Sequence, residues 1–190
     1  MHLAMQDYEA KLFRSFMRCS TKYLEFGCGG STCLAASLVS GSVITIDSSS
    51  EWLEKVSDHC RNTGSKVQPS MIYIDIGPTG DWGYPVDPAT RDSWPNYHQR
   101  VWDDDRSSEA DMYLVDGRFR VACFMQILLH SKCNPVIAIH DFSSREFYHV
   151  ISEVAREIAR ADDLSVFQRK QDQDRDRISA ILAAHLFSPE

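Results

Sequence analysis

A short strand that runs directly into a glycine-rich turn is the feature that most restricts how this chain can fold. Residues 23–26 are apolar apart from Glu25, and glycines follow at positions 27, 29 and 30. Residues 32–39 then have a composition that favours a helix. The first N–H groups of such a helix have no intrahelical partner, so a ligand can bind the main chain there. The pattern predicts an α/β fold with a ligand site at the turn.

Two carboxylates near this turn indicate which ligand it takes. Glu25 lies two residues before the first glycine, where its charge would repel a pyrophosphate and attract an ammonium group. Asp47 ends the next apolar segment, 20 residues beyond Gly27, where a carboxylate can accept hydrogen bonds from both hydroxyls of a ribose. Together they favour the amino-acid and adenosine parts of S-adenosylmethionine over a dinucleotide.

Strand and helix patterns alternate along most of the chain, which is typical of a doubly wound sheet with right-handed crossovers. We predict a Rossmann-like, mostly parallel sheet of seven strands, with helices on both faces and one antiparallel strand near the C-terminus. The strands are expected at residues 23–26, 42–47, 71–76, 111–116, 135–140, 164–169 and 178–183. Helices are expected at residues 3–18, 32–39, 121–131 and 146–161, with another starting near residue 51, and the charged segment 171–176 is expected to be a hairpin turn.

The segment 77–110 interrupts this alternation. It contains prolines at positions 78, 85, 88 and 95 and tryptophans at positions 82, 94 and 102. A connection of this length inside a compact domain is usually functional or mobile. Two interpretations stay open, a lid over a substrate or a surface excursion whose tryptophans pack together. The chain length favours a single domain, residues 1–190, that begins with a helical segment within residues 1–20.

Charge and composition argue against several classes of function. The net charge is −7 and no sustained run of Lys and Arg occurs, so neither bulk nucleic-acid binding nor binding to anionic membranes is expected. No segment has the pattern of a signal peptide or the apolar length of a membrane span, so a cytoplasmic location is the default expectation. The six cysteines lack metal-ligand spacing and are expected to be reduced thiols.

The segment 24–32, combined with Asp47, Asp116 and Asp141 at later strand ends, resembles the class I S-adenosylmethionine-dependent methyltransferase family. The resemblance covers nearly the whole chain, although Ser31 stands where the family motif has a third glycine. It implies an enzyme that transfers the sulfonium methyl group of S-adenosylmethionine to a small-molecule or protein acceptor.

The cofactor site of that family corresponds to strand ends of this chain. The resemblance implies that Glu25 and the glycine backbone hold the methionine part, Asp47 holds the ribose and Asp75 faces the adenine. For Asp75, a role as a turn former before Gly77 is an equal alternative. The predicted cofactor residues are Glu25, Gly27, Cys28, Gly29, Gly30, Ser31, Thr32, Asp47, Ser48, Asp75 and Asp116.

Three residues that follow the fourth and fifth strands are the catalytic candidates, His140, Asp116 and Asp141. A histidine has a pKa near neutrality and can act as a general base, with Asp141 as a cap for the serines that follow it. His140 can equally be an ordinary hydrogen-bonding residue. Metal-dependent catechol-type O-methyltransferases look similar in placing acidic ligands here, but this chain has Phe142 where they typically have Asn. No metal is therefore included in the predicted site.

Arginines near the same strand ends concern the acceptor. Arg118, Arg120 and Arg145 are predicted, with Trp82, to bind the substrate, because guanidinium groups favour a carboxylate or phosphate. Pairing of these arginines with surface acids is the alternative. Two other functions also stay open. A protein that binds the cofactor without catalysis is one, and a nicotinamide-dependent oxidoreductase is less favoured because Thr32 stands where its glycine motif needs Gly or Ala.

Overall fold

The computed structural model describes all 190 residues and contains one sheet of seven strands. These are β1 (Lys22–Phe26), β2 (Ser42–Asp47), β3 (Ser70–Tyr73), β4 (Met112–Val115), β5 (Val136–Ile139), β6 (Ala155–Ala161) and β7 (Leu164–Arg169). Their spatial order is 3-2-1-4-5-7-6. The strands from β1 to β5 pair in parallel, whereas β7 is antiparallel to both β5 and β6. The predicted doubly wound sheet with one antiparallel strand is therefore confirmed.

Helices cover both faces of this sheet. They are α1 (Asp7–Arg18), α2 (Gly30–Leu38), α3 (Ser50–Asn62), α4 (Asn96–Gln99), α5 (Arg120–His130) and α6 (Arg175–His185). None of these helices is both long enough and apolar enough to cross a membrane.

Strand β4 illustrates why the central strands are continuously apolar. All four of its residues are buried. Tyr113 and Val115 pack in a cluster with residues of α5 and α6, whereas Met112 and Leu114 pack in a second cluster with residues of α1 and α2. A parallel strand that is covered on both faces has no solvent side for polar residues, which is the pattern seen in the sequence.

The C-terminal third differs from the prediction in two elements. The expected helix at 146–161 is a short 3₁₀ helix (Glu146–Glu153) followed by β6, and the expected strand at 178–183 belongs to α6. The hairpin that joins β6 to β7 turns at Asp162, which has a left-handed φ of 47°. The charged segment 171–176 is therefore not the hairpin turn.

Tertiary contacts explain both differences. Segment 155–161 pairs with β7 along most of its length, with one irregularity between Glu157 and Ala159, and this pairing outweighs its helical spacing of apolar residues. In the charged segment, the side chain of Asp174 accepts a hydrogen bond from the Arg177 N–H and so caps α6. Ile178 and Ile181 are the buried residues of that helix, and they join the cluster that contains α5.

The irregular segment 77–110 is only partly a surface excursion. Tyr97 and Val101 are buried in the main core, and Trp94 and Trp102 pack against it. Its first part instead forms a tight turn, closed by a bridge between Thr79 and Pro85. The tryptophans therefore do not form a separate core of their own. Within this segment, the turn between Thr79 and Pro85 is the part to which the prediction of a lid still applies.

Two glycines let the ends of β1 and β4 approach closely. Gly27 has a left-handed φ of 92°, and a Cβ added to it would lie 2.7 Å from the backbone nitrogen and Cα of Gly117. A Cβ on Gly117 would in turn collide with the hydroxyl of Tyr97. Gly27 thus serves the packing of strand ends, whereas a Cβ on Gly29 would have no neighbour within 4 Å.

Replacing Gly27 by alanine is expected to lower the free energy of unfolding by about 2–4 kcal/mol, from the left-handed backbone and the collision with Gly117 together. Urea denaturation would measure the loss. Gly29→Ala is the matched control and is expected to stay within about 0.5 kcal/mol of the wild type. Similar losses in the two variants would contradict the assignment of Gly27 to this contact.

Candidate functional site

A cleft of about 1260 Å³ lies at the carboxyl ends of β1, β2, β4 and β5. Ligands of doubly wound sheets bind at this edge, where the strand order reverses. The cleft brings together fourteen of the predicted site residues: Gly27, Cys28, Gly29, Gly30, Ser31, Asp47, Ser48, Trp82, Asp116, Arg118, Arg120, His140, Asp141 and Arg145. Glu25, Thr32 and Asp75 are not among its lining residues.

Asp47 ties the glycine turn to the start of α3. One carboxylate oxygen accepts a hydrogen bond from the Cys28 N–H (3.0 Å) and the other accepts one from the Ser49 N–H (2.9 Å). An ionised carboxylate has about four acceptor positions, so these two bonds leave capacity for further donors. Asp47 therefore meets the requirement for binding a ribose diol from the cleft.

Glu25 lies beneath the turn and not in the cleft. It is fully buried, and its carboxylate accepts hydrogen bonds from the hydroxyls of Tyr23 (2.8 Å) and Thr32. The Thr32 hydroxyl in turn accepts the N–H of Gly29. Burial raises the pKa of Glu25 to about 7, although hydrogen bonds from Thr32 and neighbouring hydroxyls oppose this. The expected contact between Glu25 and an ammonium group is not what this placement favours, because the carboxylate instead supports the turn through Thr32.

Asp75 forms a local turn outside the cleft. It is exposed, lies two residues beyond the end of β3, and accepts a hydrogen bond from the Gly77 N–H at 2.8 Å. This is the turn-forming alternative, and the expected contact with an adenine has no support in its position.

Arg120 is committed to the protein itself. It is only 3% exposed, and its guanidinium lies 3.3 Å from Asp116 and 3.0 Å from Asp141. It also donates hydrogen bonds to the carbonyl oxygens of Gly117 (3.0 Å) and His140 (2.6 Å). Its placement does not favour the predicted contact with a substrate, because its donors are used to join the loops after β4 and β5.

His140 is surrounded by carboxylates. Its Nε2 lies 3.3 Å from Glu9, and its Nδ1 lies 3.3 Å from Asp116 and 3.4 Å from Asp141. Burial lowers the pKa of His140, but hydrogen bonds and charges, first of all from Asp116, outweigh it and raise the pKa to about 9. At neutral pH the ring is therefore protonated and both nitrogens act as donors. A general base needs a free nitrogen lone pair, so the predicted base role does not fit His140 in this state.

Asp116, His140 and Asp141 place their potential ligand atoms within 4.8 Å of one another. Arg120 contacts both carboxylates, and Arg145 lies 3.2 Å from Asp141. A divalent cation at this point would meet two guanidinium groups at short range, which disfavours its binding. These residues therefore do not fit a catalytic metal, and we derive no step through one.

Comparison with known proteins gives one clear result. No protein-family model and no curated protein matches the sequence. Among solved structures, a methyltransferase-like protein from Silicibacter pomeroyi superposes with a TM-score of 0.90 at 29% identity, covering 99% of this chain and 98% of that one. The chain has the fold of the class I S-adenosylmethionine-dependent methyltransferases.

More distant structures agree on this class I fold. A methyltransferase from Podospora anserina, solved with S-adenosylhomocysteine bound, matches with a TM-score of 0.60 at 13% identity over 90% of this chain and 80% of its own. A caffeoyl-CoA O-methyltransferase assigned as putative, from Staphylococcus aureus, matches with a TM-score of 0.58 at 14% identity over 89% and 86%. At these identities the likeness concerns the fold alone.

Glu9 contacts His140, a residue of the cleft, and sequence reasoning missed it. It lies on α1, is 2% exposed, and accepts hydrogen bonds from the Gln6 N–H (2.7 Å) and the Asp163 N–H (2.9 Å) as well as facing His140. It thereby connects the N-terminal helix to the end of β5 and to the turn between β6 and β7. Its only sequence signal is its place as the third residue of a helix, which is typical of an ordinary capping residue.

The protonation of His140 makes a pH dependence of stability expected. The folded pKa of about 9 exceeds the ordinary value of 6.5, so this contribution is complete below pH 6.5 and is lost as the pH rises towards 9. Between pH 7 and 8.5 the free energy of unfolding is expected to fall by about 2 kcal/mol more in the wild type than in His140→Gln. Glu25, with a folded pKa of about 7, titrates mostly below this window. Urea denaturation at several pH values would measure how the free energy of unfolding changes with pH in each protein. The same pH dependence in both proteins would contradict a protonated His140.

Proposed function

We propose that the protein is an S-adenosylmethionine-dependent methyltransferase. The cofactor lies across the ends of β1 and β2, and the methyl acceptor lies at the ends of β4 and β5. The observation that carries this proposal is the position of Asp47, which lines the cleft with unused acceptor capacity while holding the glycine turn and the start of α3 in place. A carboxylate in this position can also bind the ribose of a nicotinamide dinucleotide. What argues against that alternative is the likeness of the whole chain to a solved methyltransferase-like protein.

The glycine turn supports the same orientation of the cofactor. Gly29 lines the cleft with no atom near its missing side chain, so a ligand can approach the main chain there. Glu25 keeps this surface in shape from below, through Thr32 and the Gly29 N–H. We infer that the methionine part of the cofactor lies over Gly29 and that the adenosine lies beside Asp47.

The residues at the ends of β4 and β5 would position the acceptor, and the carboxylates there keep His140 protonated. When bound, S-adenosylmethionine supplies the methyl group, and its sulfur leaves with the bonding electron pair. Alignment of the acceptor and exclusion of water are then the main contributions of the protein. Because His140 is already protonated, it does not remove a proton from the acceptor. An acceptor that is deprotonated at neutral pH suits this site best.

A protein that binds the cofactor without transferring its methyl group is the competing function. The experiment that separates the two uses S-adenosylmethionine with a radiolabelled methyl group and panels of carboxylates, phenols, amines and proteins. Methyl transfer that depends on the protein and is lost in Asp47→Ala supports the proposal. Binding of S-adenosylhomocysteine without transfer to any class supports the non-catalytic function, and absence of binding contradicts both.

A further inference from the structure

We propose that the methyl acceptor carries an oxyanion, a carboxylate or a phosphate, and that Arg118 binds this group at the carboxyl end of β4. This inference rests on the proposed function and adds to it the chemical class of the acceptor and the residue that selects it. Of the three arginines at this edge of the sheet, two are engaged within the protein and one is not.

The charges around His140 balance without Arg118. The negative groups are Glu9, Asp116 and Asp141, and the positive groups that contact them are Arg120, Arg145 and His140. Arg145 additionally lies 3.9 Å from the carboxylate of Glu190. Arg118 takes part in none of these ion pairs although it lines the same cleft.

The donors of Arg118 have no partner in the protein. Its Nε is buried and makes no hydrogen bond within the protein. A buried donor without an acceptor costs about 1–3 kcal/mol, which an anion in the cleft could recover. Six other buried side-chain atoms also lack a partner, but none of them belongs to a residue that lines the cleft. The carbonyl of Arg118 accepts a weak hydrogen bond from the Cys123 thiol (3.4 Å).

The turn between Thr79 and Pro85 reaches Arg118 from the other side of the cleft. A Cβ built on Gly83 would lie 4.0 Å from the Cγ of Arg118 and 3.4 Å from the hydroxyl of Ser48. Trp82, at the tip of this turn, lines the cleft with 90% of its surface exposed. The unpaired guanidinium and an exposed indole therefore bound one space, which suits a planar acceptor that carries an oxyanion.

The test uses the full chain saturated with S-adenosylhomocysteine, titrated by calorimetry with benzoate or with inorganic phosphate at constant ionic strength. The wild type is expected to bind at least one of these anions at a single site, and Arg118→Gln is expected to weaken that binding about tenfold or more. Binding of benzoate alone indicates a carboxylate on the acceptor, and binding of phosphate alone indicates a phosphate. Arg100→Gln, at an exposed arginine outside the cleft, is expected to bind the anion as the wild type does.

Three results would overturn the assignment. The first is that neither anion binds to the wild type loaded with S-adenosylhomocysteine. The second is that Arg118→Gln binds the anion as tightly as the wild type does. The third is that Arg118→Gln lowers the affinity for S-adenosylhomocysteine itself about tenfold. The third result would indicate that Arg118 binds the carboxylate of the cofactor and not the acceptor. Failure of the wild type to bind S-adenosylhomocysteine overturns the proposed function as well, whereas cofactor binding without anion binding overturns the role of Arg118 alone.

Discussion

Replacing Arg120 by methionine is expected to lower the free energy of unfolding by about 3–5 kcal/mol, the largest change in stability that any single side chain of the site should produce. The guanidinium is 3% exposed and contacts two carboxylates, those of Asp116 and Asp141. Methionine fills much of the same volume but removes the buried positive partner that the two acids share, leaving them only His140 and, for Asp141, Arg145. It also leaves the carbonyls of Gly117 and His140 without their donor.

Urea denaturation at pH 7 would measure this loss. Arg100→Met is the matched control, because Arg100 is exposed and pairs only with Asp103 at 3.6 Å, and its effect is expected to stay below about 0.5 kcal/mol. Arg120→Lys keeps the charge without the planar guanidinium group. Its free energy of unfolding is expected to lie between those of the wild type and Arg120→Met. A stability of Arg120→Met within about 1 kcal/mol of the wild type would show that Arg120 does not hold these loops together.

Replacing Asp47 by alanine is expected to weaken the binding of S-adenosylhomocysteine by about two orders of magnitude or more. Two hydrogen bonds from a ribose to an ionised carboxylate contribute about 1.5–3 kcal/mol each. The same change removes the acceptors for the N–H groups of Cys28 and Ser49, so the turn and the start of α3 also lose their connection. Asp47→Asn keeps an acceptor for one of these groups and is expected to have an intermediate affinity.

Asp75→Ala is the matched control for this prediction. Asp75 is a carboxylate that follows the neighbouring strand, but it is exposed, lies outside the cleft and binds only the Gly77 N–H. Its loss is expected to change the affinity less than about twofold, as for a surface change away from the site. Equal losses of affinity in the two variants, measured by calorimetry, would contradict the proposal that Asp47 binds the ribose.

The sheet could be predicted from the sequence because its central strands are buried on both faces. A run such as Met112–Val115 has no other stable environment in a chain of this composition. The position of Asp47 followed in the same way, since the end of β2 and the glycine turn must meet at one edge of a parallel sheet.

The segments that were wrongly assigned depend on contacts that a local pattern does not contain. The apolar spacing of 146–161 suits a helix, but pairing with β7 decides its structure. Burial similarly decides the role of Glu25, whose sequence position matches a ligand contact while its side chain lies below the turn.

The acceptor side was the least predictable part of the site because it depends on which charges pair. His140, Arg118 and Arg120 follow strand ends in the same way, and the sequence gives no means of ranking them. Glu9 comes from a helix more than a hundred residues earlier and raises the pKa of His140 together with Asp116 and Asp141. Such pairings depend on distances of a few ångströms, which neither spacing nor composition determines.

The most direct test of the account is a calorimetric titration of the wild-type protein with S-adenosylhomocysteine and, separately, with NADH. We expect S-adenosylhomocysteine to bind at one site, with an affinity that Asp47→Ala reduces and Asp75→Ala does not, and we expect no heat of binding from NADH. Binding of NADH in the absence of any binding of S-adenosylhomocysteine would contradict the assignment of this cleft to a methyl-donor cofactor.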